Sequence, residues 1–244
     1  MGLLTGVLRG LADLVYPPEC RRCEREIPPS GGLPLCDECR DDLHFLPKDR
    51  CPTCGKTIRN RPGSRTRCWE CRSGFRRFDR AISVFVYDGT FRKLWHRVKF
   101  SNRPEWIAAI VDAALEHIGP DEDFNPYLFD VFTWAPTTDR RKAGRGVDLA
   151  EEIAKHLAEK YQRPVAGLLR RIRDCPPQAE LSRRNRIENV KGAFSAAVPT
   201  GMRTRSVLLI DDILTTGSTA SACADALKDR GFQKVVLFTL ARGL

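Results

Sequence analysis

The spacing of apolar residues divides the chain into two textures. From Phe78 onward, compact apolar runs alternate with stretches in which apolar positions recur every three to four residues. The runs Ala81–Tyr87, Val131–Ala135, Val165–Ile172, Val207–Ile210 and Lys234–Leu240 are expected strands. The helical spacings cover Thr90–Phe100, Trp106–Ile118, Gly146–Tyr161 and about Ser218–Arg230. In the third of these, Val147, Ala150, Ile153, Ala154, Leu157 and Tyr161 share one face. Alternation of this kind predicts an α/β fold, a mostly parallel sheet with helices on both faces. The expected division is an N-terminal module over residues 1–77 and an α/β domain over residues 78–244.

The first of these regions reads differently. Leu3, Leu4, Val7, Leu8, Leu11, Leu14 and Val15 fall at helical spacing, interrupted by Arg9 and Asp13. This is too short and too charged for a membrane span, and the expectation is an amphipathic helix packed on the protein, with a membrane surface as the lesser alternative. Without a small-residue cleavage site after it, no export signal is expected and the compartment is expected to be the cytoplasm, where thiols stay reduced. From Cys20 to Arg77 apolar residues are few and cysteines take their place.

Eight of the ten cysteines form four C-x-x-C pairs, Cys20/Cys23, Cys36/Cys39, Cys51/Cys54 and Cys68/Cys71, separated by 12, 11 and 13 residues. A two-residue gap lets both thiolates of a pair face one ion, and two such knuckles complete a tetrahedral zinc site. Four knuckles therefore predict two structural Zn2+ ions, with metal binding coupled to folding. Redox pairs seldom come four in a row, which disfavours a dithiol oxidoreductase. Gly55, directly after Cys54, permits the tight turn that aims amides at the sulfurs. Sequential pairing, the first two knuckles on one ion and the last two on the other, is the expected arrangement; an interleaved cross-brace fits the same spacing.

The sharpest chemistry lies at Val207-Leu208-Leu209-Ile210-Asp211-Asp212-Ile213-Leu214-Thr215-Thr216-Gly217-Ser218-Thr219. A buried parallel strand ends in two carboxylates, and a Thr/Gly/Ser turn then opens a helix. This is the carboxyl edge at which open α/β sheets bind ligands. Amides and hydroxyls of Thr215, Thr216, Gly217, Ser218 and Thr219 can surround a phosphate monoester at a helix N-terminus. Asp211 and Asp212 can accept hydrogen bonds from vicinal ribose hydroxyls and orient hydrated Mg2+. The net charge of +10 agrees with a polyanionic partner, although scattered surface arginines would produce the same total.

This loop resembles the 5-phosphoribosyl 1-pyrophosphate (PRPP) motif of type I phosphoribosyltransferases. The zinc knuckles, Tyr87-Asp88-Gly89 with Arg92 and Lys99-Phe100, the run Ala135-Pro136-Thr137-Thr138 with Arg140, Arg141, Arg145 and Gly146, and then Gln178, Leu181, Arg186, Asn189 and Gly192-Ala193-Phe194 narrow the resemblance to the ComF family of competence-associated proteins. It covers about residues 10 to 242. The resemblance implies a pyrophosphate loop at Pro136, Thr137 and Thr138, a closing loop at residues 174–192, Mg2+ bound with PRPP, and charge stabilisation by Lys99 and Arg186. Family members often carry R-G-F-[DN]-Q-A after the pyrophosphate loop; here Arg145-Gly146-Val147-Asp148-Leu149-Ala150 lacks the aromatic residue and the Gln.

The implied activity is Mg-dependent transfer of phosphoribosyl to an acceptor that the sequence does not identify, linked to DNA uptake. One strand follows the phosphate-loop helix, leaving no C-terminal hood to select a base, so an acceptor would be recognised from the N-terminal side. The other readings are a PRPP sensor without turnover and a non-catalytic single-stranded-DNA-binding competence protein, with a competence helicase or uptake machinery as partner. Basic charge near Trp69, Phe75, Phe78, Trp95, Phe100 and Trp106 suits the last of these. Core packing is the simpler role for most of those aromatics, and Trp69 and Phe75 are the least committed to a core.

Overall fold

The computed structural model describes residues 19–28, 32–58, 66–101, 104–118, 124–137, 148–173, 190, 192–203 and 205–243. The expected N-terminal helix, Thr138, Arg140, Arg141, Arg145, Arg186 and most of the expected closing loop lie outside them. Two short helices, α1 (Asp37–Asp41) and α2 (Trp69–Arg72), sit on the second and fourth knuckles. They are followed by β1 (Arg80–Val86), α3 (Gly89–Lys99), α4 (Pro104–Ile118), β2 (Val131–Trp134), α5 (Leu149–Tyr161), β3 (Leu169–Arg171), β4 (Phe194–Ala196), β5 (Ser206–Leu214), α6 (Ser218–Lys228) and β6 (Lys234–Arg242).

The main sheet has the order β1-β6-β5-β2 and every pairing in it is parallel. Its inner strands are β6 and β5, and Val207, Leu208, Leu209 and Ile210 of β5 are fully buried because both faces of the strand are covered. Alternate residues feed two cores. Leu208, Ile210, Val236 and Phe238 pack with Phe91, Leu94, Trp95 and Val98 of α3 and with the apolar sides of α4 and α5. Val207, Leu209, Val235 and Leu237 pack with the alanines and Leu227 of α6 and with Phe194 of β4. Small residues on α6 (Ala220, Ala222, Ala224, Ala226) let that helix approach the sheet closely.

Two expectations are corrected. The strand predicted to end at Ile210 continues in β-conformation through Asp211, Asp212 and Ile213 to Leu214, because β6 pairs with it as far as Leu214↔Arg242. The segment Val165–Ile172 is not one strand of the main sheet. Val165 makes a single parallel bridge to Phe132, after which Leu169–Arg171 turns away and pairs antiparallel with β4. β4 is only three residues long and follows Gly192, so it carries too little periodicity to predict.

The cysteine region is fastened to the sheet at its β1 edge. Leu46 donates to Val84 O at 2.8 Å, Val86 to His44 O at 2.8 Å and Ala81 to Thr53 O at 2.7 Å. The few apolar residues between knuckles do not form a core of their own. Ile27, Leu33, Leu35 and Leu43 join the α3/α4 core, and Cys51, Cys54 and Cys71 join the α6 core.

Candidate functional site

The eight thiols gather in sequence order: Cys20, Cys23, Cys36 and Cys39 in one group, Cys51, Cys54, Cys68 and Cys71 in the other, with sulfurs within 4.8 Å of one another. The pairing is sequential and not interleaved. Sulfurs ~2.3 Å from a tetrahedral zinc lie ~3.8 Å apart, and Cys23–Cys36 and Cys54–Cys68 are separated by 3.7 and 3.6 Å. The donor sets fit zinc, which would hold four thiolates at each site with no open position for chemistry. Cys54 is drawn down to about 5 by its hydrogen bond with Cys71, against burial, with the charges of Arg242 and Arg76 assisting. For Cys20, burial is outweighed by hydrogen bonds from the amides of Cys23, Cys36 and Arg22, and its pKa falls to about 6.

At the carboxyl end of β5 the two acids point to opposite faces, as neighbours on a strand must. Asp212 turns toward α3. There Trp95 and Lys99, one helical turn apart, reach the same oxygen: Trp95 Nε1 donates to Asp212 Oδ2 at 3.1 Å and Lys99 Nζ lies 2.9 Å from it. Its other oxygen accepts from the Ile213 amide at 2.7 Å. Burial alone would raise the Asp212 pKa, but the charge and hydrogen bond of Lys99, with those of Trp95 and Ile213, hold it below the usual carboxylate value. Asp211 takes the α6 side and accepts from the Asp212 amide at 2.9 Å. Burial and then the charge of Asp212 push its pKa well above the usual value. The two neighbouring acids are therefore unlike: Asp212 is tied to a cation and an indole, and the pKa of Asp211 is displaced in the opposite direction by burial and by the charge of Asp212.

The loop after β5 places Gly217 at φ +75°, the left-handed conformation a tight turn into α6 needs. Thr216 Oγ1 and Ser218 Oγ are 3.0 Å apart, and the Ser218 amide lies 3.4 Å from Thr216 Oγ1. Thr215 is exposed, Thr219 half-buried and Ser218 buried, so the loop lies at the surface while its helix is anchored below. In the neighbouring loop after β2, the Thr137 amide donates to Asp148 Oδ2 at 3.0 Å, while Asp148 Oδ1 accepts from Ala150 and caps α5. Asp148 thus ties the candidate pyrophosphate loop to a helix start.

Of the residues singled out from sequence, the structure brings together Asp211, Asp212, Lys99 and the 215–219 loop, with Pro136 and Thr137 at the end of adjacent β2. Sequence reasoning missed three partners. Trp95 was read among possible stacking aromatics, yet it is fully buried and its indole serves Asp212. Arg76 donates to Thr216 O, and its guanidinium pairs with Glu70 at 3.0 Å. Arg242, only 2 % exposed, donates to Leu214 O and Thr215 O, each at 3.2 Å. A charged residue closing the apolar run Val235–Ala241 was the available signal for Arg242; nothing in the Arg-rich stretch around Arg76 distinguished it. Among the other aromatics, Phe78 is buried and Trp106 lies under Arg21, whereas Trp69, Phe75 and Phe100 are exposed.

Residues 11–75 match the double zinc ribbon domain, and residues 143–244 match the phosphoribosyl transferase domain. The chain is 27 % identical to Competence protein F of Haemophilus influenzae, over 85 % of this chain and 96 % of that protein. It is also 27 % identical to the DNA utilization protein YhgH of Escherichia coli K12, over 95 % of this chain and all of that protein. The Competence protein ComFC of Streptococcus pneumoniae is 26 % identical, over 85 % of this chain and 87 % of its own length. No helix among the described residues is long and apolar enough to cross a membrane.

Proposed function

As the chain belongs to the ComF family, joining a double zinc ribbon to a phosphoribosyltransferase domain, we propose that it binds PRPP with Mg2+ at the carboxyl end of β5 and transfers the phosphoribosyl group to an acceptor in the handling of incoming DNA. The observation that carries this reading is the pair of acids that ends β5 directly before the Thr/Gly/Ser turn into α6, with Asp212 held by Lys99 and Trp95. Amides and hydroxyls of residues 215–219 hold the 5-phosphate at the start of α6. Asp211 and Asp212 accept from the ribose hydroxyls, and Mg2+, when bound with PRPP, would neutralise charge on the pyrophosphate.

In the transfer, the bond from the anomeric carbon to the pyrophosphate oxygen breaks, with its electron pair leaving on pyrophosphate, as the acceptor's lone pair attacks the same carbon. Positive charge develops on the ribose ring. The Asp212 carboxylate, kept anionic by Lys99, faces that charge without first having to lose a proton. Titration with PRPP and magnesium by calorimetry tests the reading. Binding by the wild type and its loss in Asp211→Asn, Asp212→Asn is expected; no heat from the zinc-loaded wild type would overturn it.

A second reading, contact with single-stranded DNA, is favoured by one observation. A groove of about 390 Å³ on the second ribbon is lined by Lys56, Ile58, Arg67, Arg72 and Trp69, the last 66 % exposed and in ring contact with Phe75. Basic side chains beside an exposed aromatic suit a sugar–phosphate strand with a stacked base. Under this reading Trp69→Ala weakens binding of an oligothymidylate whose affinity falls with salt, and salt-independent binding would count against it.

A further inference from the structure

The two arginines behind the 215–219 loop hold three successive carbonyls. Arg242 donates to Leu214 O and Thr215 O, and Arg76 donates to Thr216 O. In a planar trans peptide the C=O and the N–H of the following residue point in opposite directions. Fixing the carbonyls of residues 214, 215 and 216 toward the arginines therefore turns the amides of Thr215, Thr216 and Gly217 the other way, as a row of donors on the side away from the guanidinium groups. Such a row is the concave amide arrangement that binds anions.

Both guanidinium groups are anchored on the second ribbon, Arg242 at a thiol and Arg76 at a carboxylate between two thiols. Arg242 Nη2 lies 3.9 Å from Cys54 Sγ. Arg76 Nη2 is 3.0 Å from Glu70, which stands on α2 between Cys68 and Cys71 and also pairs with Lys56 at 2.9 Å, two residues beyond Cys54. Glu70 is buried and the Arg76 side chain is 4 % exposed, so water does not compete for these contacts. Four thiolates around one divalent ion leave a net negative charge that compensates the buried cations. The first ribbon has an arginine–thiolate contact of its own, Arg22 to Cys39 Sγ at 3.4 Å, but that arginine's other partner is Asp42 and the ribbon packs into the core on the α3 side of the sheet.

We propose that Arg76 and Arg242 are positioning residues that couple the second zinc site to the amides of Thr215, Thr216 and Gly217, so that the metal at that site presets the loop for a phosphate monoester. The proposal rests on reading the loop as the phosphate site of PRPP, while its first test needs no ligand. Hydrogen exchange of the full-length, zinc-loaded protein is followed by mass spectrometry in wild type, Arg242→Met, Arg76→Met and Arg22→Met. Arg242→Met and Arg76→Met are expected to speed exchange of the Ser218 and Gly243 amides, which donate to the loop at Thr216 Oγ1 and Leu214 O, by about tenfold while zinc stays at two ions per chain. Arg242→Lys, which keeps the charge but not the fork, recovers part of the protection. Arg22→Met leaves those amides within about twofold of wild type.

Affinity for PRPP falls roughly tenfold in the first two variants, a change of about 1.4 kcal/mol. Should Arg242→Met fail to fold, Arg76→Met supplies the same readout. Loop exchange unchanged in the arginine variants, or equally changed by Arg22→Met, overturns the coupling even if PRPP binds. Faster exchange in the arginine variants, with no uptake of PRPP by the wild type, removes the phosphate reading and leaves the coupling standing.

Discussion

The two zinc ribbons are built alike and connected differently. In the first, Cys20 N donates to Arg25 O at 2.7 Å and Glu24 N to Cys20 O at 2.9 Å; in the second, Cys51 N donates to Lys56 O at 2.8 Å and Gly55 N to Cys51 O at 2.9 Å. The turn residue is left-handed in both, at φ +67° for Glu24 and +66° for Gly55. Beyond this shared frame they diverge. The first covers the α3/α4 face, where Arg21 lies 4.4 Å over Trp106 and Glu24 pairs with Arg97. The second stands behind the 215–219 loop and reaches it through Arg76 and Arg242. One metal-binding turn can thus serve as cover or as a mounting for a site, and what decides is the charged residue placed next to it.

The largest expected effect separates the ribbons directly. Because metal binding in such modules is folding free energy of about 10 kcal/mol, Cys54→Ser should lose the second zinc, disrupt both the α6 core and the 215–219 loop, and abolish the proposed PRPP binding. Cys23→Ser, at an exposed ligand, should lose the first zinc and leave PRPP affinity within about threefold. Zinc stoichiometry with calorimetry measures both, and equal loss of PRPP binding in the two variants would erase the distinction.

Gly217→Ala comes next. A side chain at φ +75° costs about 1–2 kcal/mol, and the new Cβ would fall on the Arg76 guanidinium. Stability should drop by roughly 1–3 kcal/mol in chemical denaturation and PRPP binding should vanish.

The acids sharpen the comparison through pH. The Asp211 pKa is raised in the folded state, so above the ordinary carboxylate value of 3.8 the folded protein holds a proton that the unfolded chain releases. This acid's contribution to stability therefore falls as pH rises from 3.8 toward the elevated pKa. Asp211→Asn removes that penalty and should raise stability more at pH 8 than near pH 4, while abolishing the proposed PRPP binding. Asp212 behaves oppositely. Its lowered pKa adds stability above 3.8 that is lost as pH falls through the depressed value, and Asp212→Asn should destabilise by leaving Lys99 without its partner. Thermal melts at the two pH values measure both variants. Trp69→Ala should be the mildest change, within about 0.5 kcal/mol of wild type, because its ring is already solvated.

Much of this was legible from local pattern. The apolar runs and the 3.6-residue spacing place the central strands and the helices around them, and the cysteine spacing yields both metal groups. The Thr215–Thr219 loop and the acids before it stand on consecutive residues and so can be read directly. What could not be read depends on residues far apart in sequence. Arg76 and Thr216 are 140 positions apart, Trp95 and Asp212 are 117 apart, and Arg242 and Cys54 are 188 apart. Those pairings arise only when β1, β5 and β6 are laid side by side, and no short motif encodes them. The continuation of β5 past its acids was hidden for a related reason, since polar residues normally end an apolar run and here pairing with β6 overrides that tendency.

The central claim, a phosphate monoester seated on the amides that the second ribbon helps to aim, is tested most directly by the 31P spectrum of PRPP with magnesium and zinc-loaded protein. The 5-phosphate resonance should shift or broaden on adding wild type, and should stay at its free position with Gly217→Ala. A 5-phosphate resonance that the wild type leaves unmoved at saturating protein would contradict the account.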